Sequence, residues 1–370
     1  GGLPAVESDL TAADMAFTYG ANNVCKTQSP SCVLTAAAEA WRQAALTPGG
    51  HCFGMALQAW SIFDLPDVAP GDFQSGATLT FDLTQENARR SIERAYLTQG
   101  QLPVNTQGLP TTTAYGVTTK GAENVVNTLK ANLANPAASD HYVIAFFKTD
   151  WTGGHAVTPY AVRQIDANTN WIYVYDNNYP NNFDRVFKVT KTLTTTTWVY
   201  EGGATAPGQP VSTYNGDDTT ANQDKIQLRS ARYMERFPKV CSSAAGGPCD
   251  PTVTQAALAR GNISVQATSD VYNFQLDGEG YIMVTRSDGL RAGFDPTTGA
   301  FISEIPDSAQ VFHTTGLGFN IPNLIQIPHT PGFTYSVRIA DRPTEYGNTT
   351  AVADLYIIGP GFVTRLKGIK

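Results

Sequence analysis

The chain has 370 residues with a net charge of −7, a length that suggests two or three domains. The acidic balance offers no basic patch, which argues against a nucleic-acid partner, and no apolar run is long enough to span a bilayer. Abundant Thr, Asn, Gly and Tyr suit a folded, strand-rich, secreted or cell-surface protein. The chain starts at Gly1-Gly2-Leu3-Pro4 without a signal-peptide pattern, as expected if a leader has been removed or was never cloned.

Residues 7–17 and 33–46 read as helices, the second rich in alanine with Trp41 on its apolar side. Between them, residues 19–23 form a polar turn. Pro48, Gly49 and Gly50 mark a loop, and Cys52 opens an apolar run over 52–63 that reads as a buried helix ended by Asp64 and Pro66. Residues 79–83 are a strand candidate. Residues 85–99 predict an amphipathic helix with Thr84 as N-cap and Gly100 as stop. The Thr-, Gly- and Pro-rich stretch 101–119 reads as a loop able to border a cleft. Val125, Leu129 and Leu133 mark another helix over 122–133.

Strands then dominate, at 141–148, 155–165, 171–175, 185–189 and 195–200. Helices followed by an antiparallel sheet predict an α+β domain with a cleft between its two halves. Residues 202–222 read as a linker or long loop, with 224–240 assigned to the first domain. Short strands at 271–276, 281–286, 324–327, 333–339, 354–358 and 362–366 predict a small all-β domain, sandwich or barrel. The expected division is 1–240 and 241–370.

Cys25 and Cys32 flank a loop-forming sequence, and so do Cys241 and Cys249. Each pair can close a short disulfide ring, which implies an oxidising compartment. Zinc is the other use of such cysteines, but neither pair has metal-ligand spacing and no histidine pair accompanies them. Cys52 is left over, and a left-over cysteine in an exported chain is a candidate reactive thiol.

Cys52 stands where unpaired N–H groups and the helix dipole favour a thiolate. His155 follows Gly153-Gly154 at a strand start, and Asp176 ends the run Ile172-Tyr173-Val174-Tyr175. Cysteine, histidine and carboxylate in that order read as an activated-thiol hydrolase. Asp176 is expected to accept the Nδ1 proton of His155, with Asn177 or Asn178 as alternative orienting groups. Asn22, Asn23 and Gln43 are candidate oxyanion donors. The bland readings are a buried structural cysteine, a core histidine and an Asp-Asn-Asn turn. His51, His141, His313 and His329 lie in settings that suggest no chemistry.

Gly50-His51-Cys52-Phe53-Gly54-Met55, with Gly154-His155-Ala156-Val157-Thr158-Pro159-Tyr160 and Tyr175-Asp176-Asn177-Asn178-Tyr179-Pro180, resembles a papain-like cysteine peptidase of a divergent, secreted, bacterial type. The resemblance covers roughly residues 15–200. It departs where papain has an amide shortly before the nucleophile, since Leu46 and Thr47 occupy that neighbourhood. It implies a helical half facing a β half, a peptide or protein substrate, a Cys52–His155 ion pair, and no metal or organic cofactor. A transglutaminase-like acyltransferase would use the same residue types. A catalytically inactive cell-surface binding protein would use the β domain and leave Cys52 unreactive. The C-terminal domain is expected either to contact a cell surface or polymer, or to limit access to the cleft.

Overall fold

The computed structural model describes residues 10–19, 21–27, 31–44, 51–64, 68–97, 117–135, 141–149, 153–180, 182–204, 211–219, 222–231, 271–277, 280–298, 300–312, 323–340 and 353–369. Helices precede antiparallel sheets along the chain, an α+β protein. The predicted pair Cys241–Cys249 lies outside the described residues.

The first helix, α1 (Ala12–Tyr19), starts later than its apolar pattern predicts because Thr11 caps it. The Thr11 N–H and hydroxyl both reach Asp14 Oδ2 at 2.8 Å, and the Asp14 N–H returns to Thr11 Oγ1, a reciprocal cap of the first turn. The predicted polar turn holds a short helix, α2 (Ala21–Val24), which leads into β1 (Cys25–Thr27). β1 pairs with β2 (Val33–Leu34), and the disulfide Cys25–Cys32 ties the two strands together. The helix read over 33–46 therefore begins only at α3 (Ala36–Ala44), where Thr35 Oγ1 accepts the Ala38 N–H.

Next come α4 (Cys52–Asp64) and a short α5 (Pro70–Phe73). The strand read at 79–83 is instead a 3₁₀ turn, Thr80–Asp82. The Asp82 carboxylate accepts the N–H groups of Thr78 and Leu79 at 2.8 and 2.9 Å, which curls the chain where a strand would stay extended. α6 (Gln85–Leu97) follows. It crosses α4 at Gly54, where a Cβ would lie 2.1 Å from the Ile92 carbonyl oxygen, so the two backbones touch. This contact gathers Cys52, Phe53 and Trp60 with Ala95 and Tyr96 in one apolar cluster. On its other side α6 is held by Arg90 and Arg94, which meet Asp14 of α1 at 3.0 and 2.9 Å, all three buried.

The rest of the first part comprises β3 (Val117–Lys120), α7 (Ala122–Leu133), β4 (Tyr142–Phe147), β5 (Gly154–Gln164), β6 (Thr169–Tyr175), β7 (Val186–Lys191), β8 (Thr196–Ala204), β9 (Val211–Asp217) and β10 (Ile226–Ser230). Its strands form one antiparallel sheet in the order β3-β10-β4-β5-β6-β7-β8-β9. β9 falls in the stretch read as a linker, and β3 at the end of the stretch read as a loop. Each is a strand because it finds a partner, β8 and β10 respectively, that local composition does not reveal. β10 lies between β3 and β4, so the segment after the supposed linker belongs to this sheet. Successive side chains point to opposite faces. Ile144 and Val157 pack with Val125 and Leu129 of α7, whereas Val143 and Ala156 pack with Phe53 and Leu57 of α4.

The C-terminal part has β11 (Val271–Asp277), β12 (Tyr281–Arg286), β13 (Arg291–Phe294), β14 (Phe301–Ser303), β15 (Ala309–Phe312), β16 (Asn323–Pro328), β17 (Tyr335–Ala340), β18 (Ala353–Gly359) and β19 (Phe362–Ile369). They make two sheets, β15-β16-β11-β18-β19 and β14-β13-β12-β17. Phe274, Leu276 and Ile325 of the first share one apolar core with Ile282, Val284 and Ala292 of the second. β13, β14 and β15 escape the sequence reading because three or four residues are too few to show period-two alternation. This part packs back on the first through Tyr356 against Trp41, with ring centroids 5.3 Å apart, and through Phe294 against Ala145 and Phe147. Among the described residues no helix is long and apolar enough to cross a membrane.

Gly54→Ala tests the α4–α6 crossing. In an open helix the exchange gains about 1 kcal/mol, whereas forcing a Cβ into a packed site costs typically about 1–3 kcal/mol. Contact with a backbone oxygen belongs at the upper end of that cost, so urea unfolding should show a net loss of stability.

Candidate active site

The His51 carbonyl accepts the Met55 N–H at 2.9 Å, which makes Cys52 the first residue of α4. There the N–H groups have no acceptor within the helix and the dipole favours negative charge. Cys52 is 2% exposed and stands outside the disulfide. Two tertiary hydrogen bonds fix its helix to the sheet: Trp60 Nε1 donates to the Tyr142 carbonyl of β4, and Thr158 Oγ1 of β5 donates to the Ala56 carbonyl.

His155 is the second residue of β5, and Asp176 directly follows β6. Both are 0% exposed, and His155 Nε2 lies 2.9 Å from Asp176 Oδ1. Their meeting depends on a bulge. From Gln164 to Ala161 the strands pair Gln164 with Asn170 and Ala161 with Tyr173; beyond the extra residue Tyr160 they pair Pro159 with Val174 and Thr158 with Tyr175. Continuing this register sets Asp176 opposite Val157, on the face that His155 shares and diagonal to it. Without the bulge Asp176 would stand opposite Thr158, on the other face. Pro159 suits such a site because it has no N–H to give to the ladder.

Asp176 is held from several directions. Its Oδ1 also accepts the Asn178 backbone N–H at 2.9 Å, and its Oδ2 accepts the Tyr200 hydroxyl. Burial alone would raise its pKa, but the His155 charge and these donors hold the carboxyl below its ordinary value. For His155 burial works toward the neutral form, and it loses to the Asp176 charge, the Asp176 hydrogen bond and the influence of Cys52, which together raise the imidazole from 6.5 to about 10. The Tyr200 hydroxyl, buried beside the Asp176 charge, is pushed well up and stays a donor. His51, by contrast, is depressed to about 4 by burial and by the Arg89 charge, so it is neutral.

The expected Nδ1–carboxylate bond is corrected: Asp176 takes Nε2. Nδ1 is buried without a hydrogen bond. The carboxylate thus takes one nitrogen of the ring, and the imidazole also feels Cys52. That arrangement can hold a proton between a sulfur and an imidazole while the carboxylate anchors the ring.

The other predicted residues are placed elsewhere. Asn178 Nδ2 is 3.4 Å from His155 Nε2, but Nε2 already gives its proton to Asp176, so this is a packing contact. Asn177 Nδ2 reaches Met55 Sδ at 3.3 Å, and neither amide takes the orienting position. Asn23 gives one Nδ2 proton to the Tyr19 carbonyl at 2.7 Å and accepts the Gly361 N–H at 2.8 Å, which commits its side chain to the joint between α2 and the β18–β19 turn. Asn22 lies in α2, its side chain outside the described set. Gln43 is exposed on α3, bonded to Glu39. Tyr200 was missed, and only its place in an apolar strand, an oxygen that needs a buried partner, signalled it. Tyr96 was missed as well; burial and then the nearby Cys52 push its hydroxyl up. Among the described residues no group of three or more His, Cys, Asp or Glu side chains is placed to hold a metal ion.

Comparison of the chain with protein-family models, curated proteins and solved structures found no match.

Two predictions follow from the strand register and the ion pair. Because Tyr160 is the unpaired extra residue, deleting it should leave Pro159 opposite Val174 and Val157 opposite Asp176, and an NMR titration of the ring should show His155 as charged as in Tyr160→Ala. For the pair itself, the raised His155 pKa stabilises the fold fully below pH 6.5 and is lost as pH rises toward about 10. The depressed Asp176 pKa stabilises above 3.8 and is lost as pH falls further. The Tm difference between wild type and Asp176→Asn should therefore peak between these two ordinary values, 3.8 and 6.5, and shrink on either side.

Proposed function

We propose that this chain is an exported thiol hydrolase of papain-like arrangement that cleaves peptide bonds through a Cys52 thioester. The observation that carries the reading is an imidazole that Asp176 keeps protonated and that Cys52, at the start of a buried helix, helps to charge. A cation beside a thiol favours the thiolate, which is the nucleophile. Cys52 Sγ attacks the carbonyl carbon, His155 Nδ1 gives its proton to the leaving amine, and a water deprotonated by His155 then releases the acyl group. The backbone N–H of Cys52, in the first turn of α4 where a helix has no acceptor of its own to offer, supplies one oxyanion donor. The Cys25–Cys32 disulfide supports export, since such bonds persist in oxidising compartments. The two C-terminal sheets, with their shared core, support a sandwich-like accessory module seated on the catalytic part.

Alkylation of native protein by iodoacetamide tests the ion pair. Wild type should label at Cys52 faster at neutral pH than an ordinary thiol does. His155→Ala should lose that advantage, and wild type should lose it as pH passes about 10, where the imidazole becomes neutral. A labelling curve like that of an ordinary thiol, unchanged by His155→Ala, would overturn the reading. Peptide turnover should vanish in Cys52→Ala and weaken in Asp176→Ala.

A further inference from the structure

A cleft of about 220 Å³ runs along α4 from Met55 to Ile62. Cys52, Met55, Ala59 and Ile62 recur at spacings of three and four, so the thiol and the cleft share one stripe of the helix. The facing wall includes Tyr175 and Asn177, the residues on either side of Asp176. The cleft therefore begins about one helical turn, or ~5 Å, from the thiol, and it is bounded by the strand end that carries the carboxylate.

Among the described lining residues none is charged, and most are apolar. Two amides, with the hydroxyl residues Thr80, Thr84 and Tyr175, break that surface. Gln58, 6% exposed, gives Nε2 to the Ser91 carbonyl at 3.2 Å, and Asn177 gives Nδ2 to Met55 Sδ at 3.3 Å. Their carbonyl oxygens, Gln58 Oε1 and Asn177 Oδ1, are buried without a hydrogen bond. Buried acceptors are nearly always satisfied, and a donor brought by a ligand would satisfy these. The volume is below the roughly 300–1,000 Å³ of pockets for whole small molecules, and matches one large side chain.

We propose that this cleft is a specificity pocket for one substrate side chain, large, uncharged and carrying an O–H or N–H donor: tyrosine or tryptophan. Lysine, arginine and the acids are rejected because the walls offer no countercharge to a desolvated ion. Phenylalanine and leucine fill the space but leave the acceptors unpaired, and a site built to bond a donor discriminates strongly against an analogue without one. The cleft's role in turnover rests on the thiol-hydrolase reading, whereas its binding preference stands without it.

The test is titration of N-acetyl-tyrosinamide, N-acetyl-phenylalaninamide and N-acetyl-lysinamide into protein carrying ¹³C-methyl methionine, with the Met55 signal assigned through Met55→Leu. The tyrosine probe should shift the Met55 methyl and bind at least about tenfold tighter than the phenylalanine probe, while the lysine probe should not saturate. Ala59→Phe, which fills the cleft from α4, should remove tyrosine binding with the remaining methionine signals in place. Gln58→Met should bring the two aromatic probes to similar affinity. Equal binding of the tyrosine and phenylalanine probes to wild type, or a tyrosine response that survives Ala59→Phe, would overturn the proposal. A digest of a peptide library separates the two readings. Cleavage by Cys52 without preference for Tyr or Trp removes the pocket from catalysis and leaves the hydrolase. Selective tyrosine binding with no Cys52-dependent cleavage keeps the pocket and removes the hydrolase.

Discussion

The buried pair of His155 and Asp176 is the interaction on which the site depends, and burial and charge pull it in opposite directions. A histidine with no exposed surface would ordinarily be neutral. Here the carboxylate beside it is itself stabilised by Tyr200 and by the Asn178 N–H, so it remains an anion and holds the imidazole as a cation. Breaking such a pair from one side leaves an uncompensated buried charge, a loss of about 3–5 kcal/mol. The aromatic surroundings contribute as well: Phe146 meets the imidazole edge-on at a centroid distance of 5.4 Å and excludes water from the ring.

A cation is useful to a thiol only if the two are held in register, and the supports of α4 explain how. Thr158 and Trp60 tie it to β5 and β4, and Gly54 lets α6 approach until the backbones touch. α6 is anchored in turn by the buried Asp14 of α1, whose one carboxylate holds both Arg90 and Arg94. The N-terminal helices then rest on the C-terminal sheets through Trp41, Tyr356 and the Asn23–Gly361 bond. The β-rich part is thus packed against the helices that brace the thiol.

The strength of local signals decided how much was legible. α4 and α7 were read with nearly the observed bounds because both carry long apolar patterns and end at clear stops. The strands from β4 to β8 were legible for the same reason. β3, β9 and the short C-terminal strands were not, since each owes its existence to a neighbour rather than to its own pattern. The 3₁₀ turn at Thr80–Asp82 was misread because apolar Leu79 and Phe81 look strand-like until the Asp82 carboxylate captures the chain behind it.

The site divides in the same way. Residue types, flanking glycines, chain order and a cysteine left over from the disulfide pairs singled out Cys52, His155 and Asp176, and short spacing paired Cys25 with Cys32. Which imidazole nitrogen meets Asp176, the commitment of Asn23 to a domain contact, and the part played by Tyr200 were decided by tertiary structure. So was the bulge at Tyr160, one extra residue that turns Asp176 to the face of His155. The reason is physical: composition and periodicity act over a few neighbouring residues. Strand register and the satisfaction of buried polar atoms instead depend on partners brought together from distant parts of the chain.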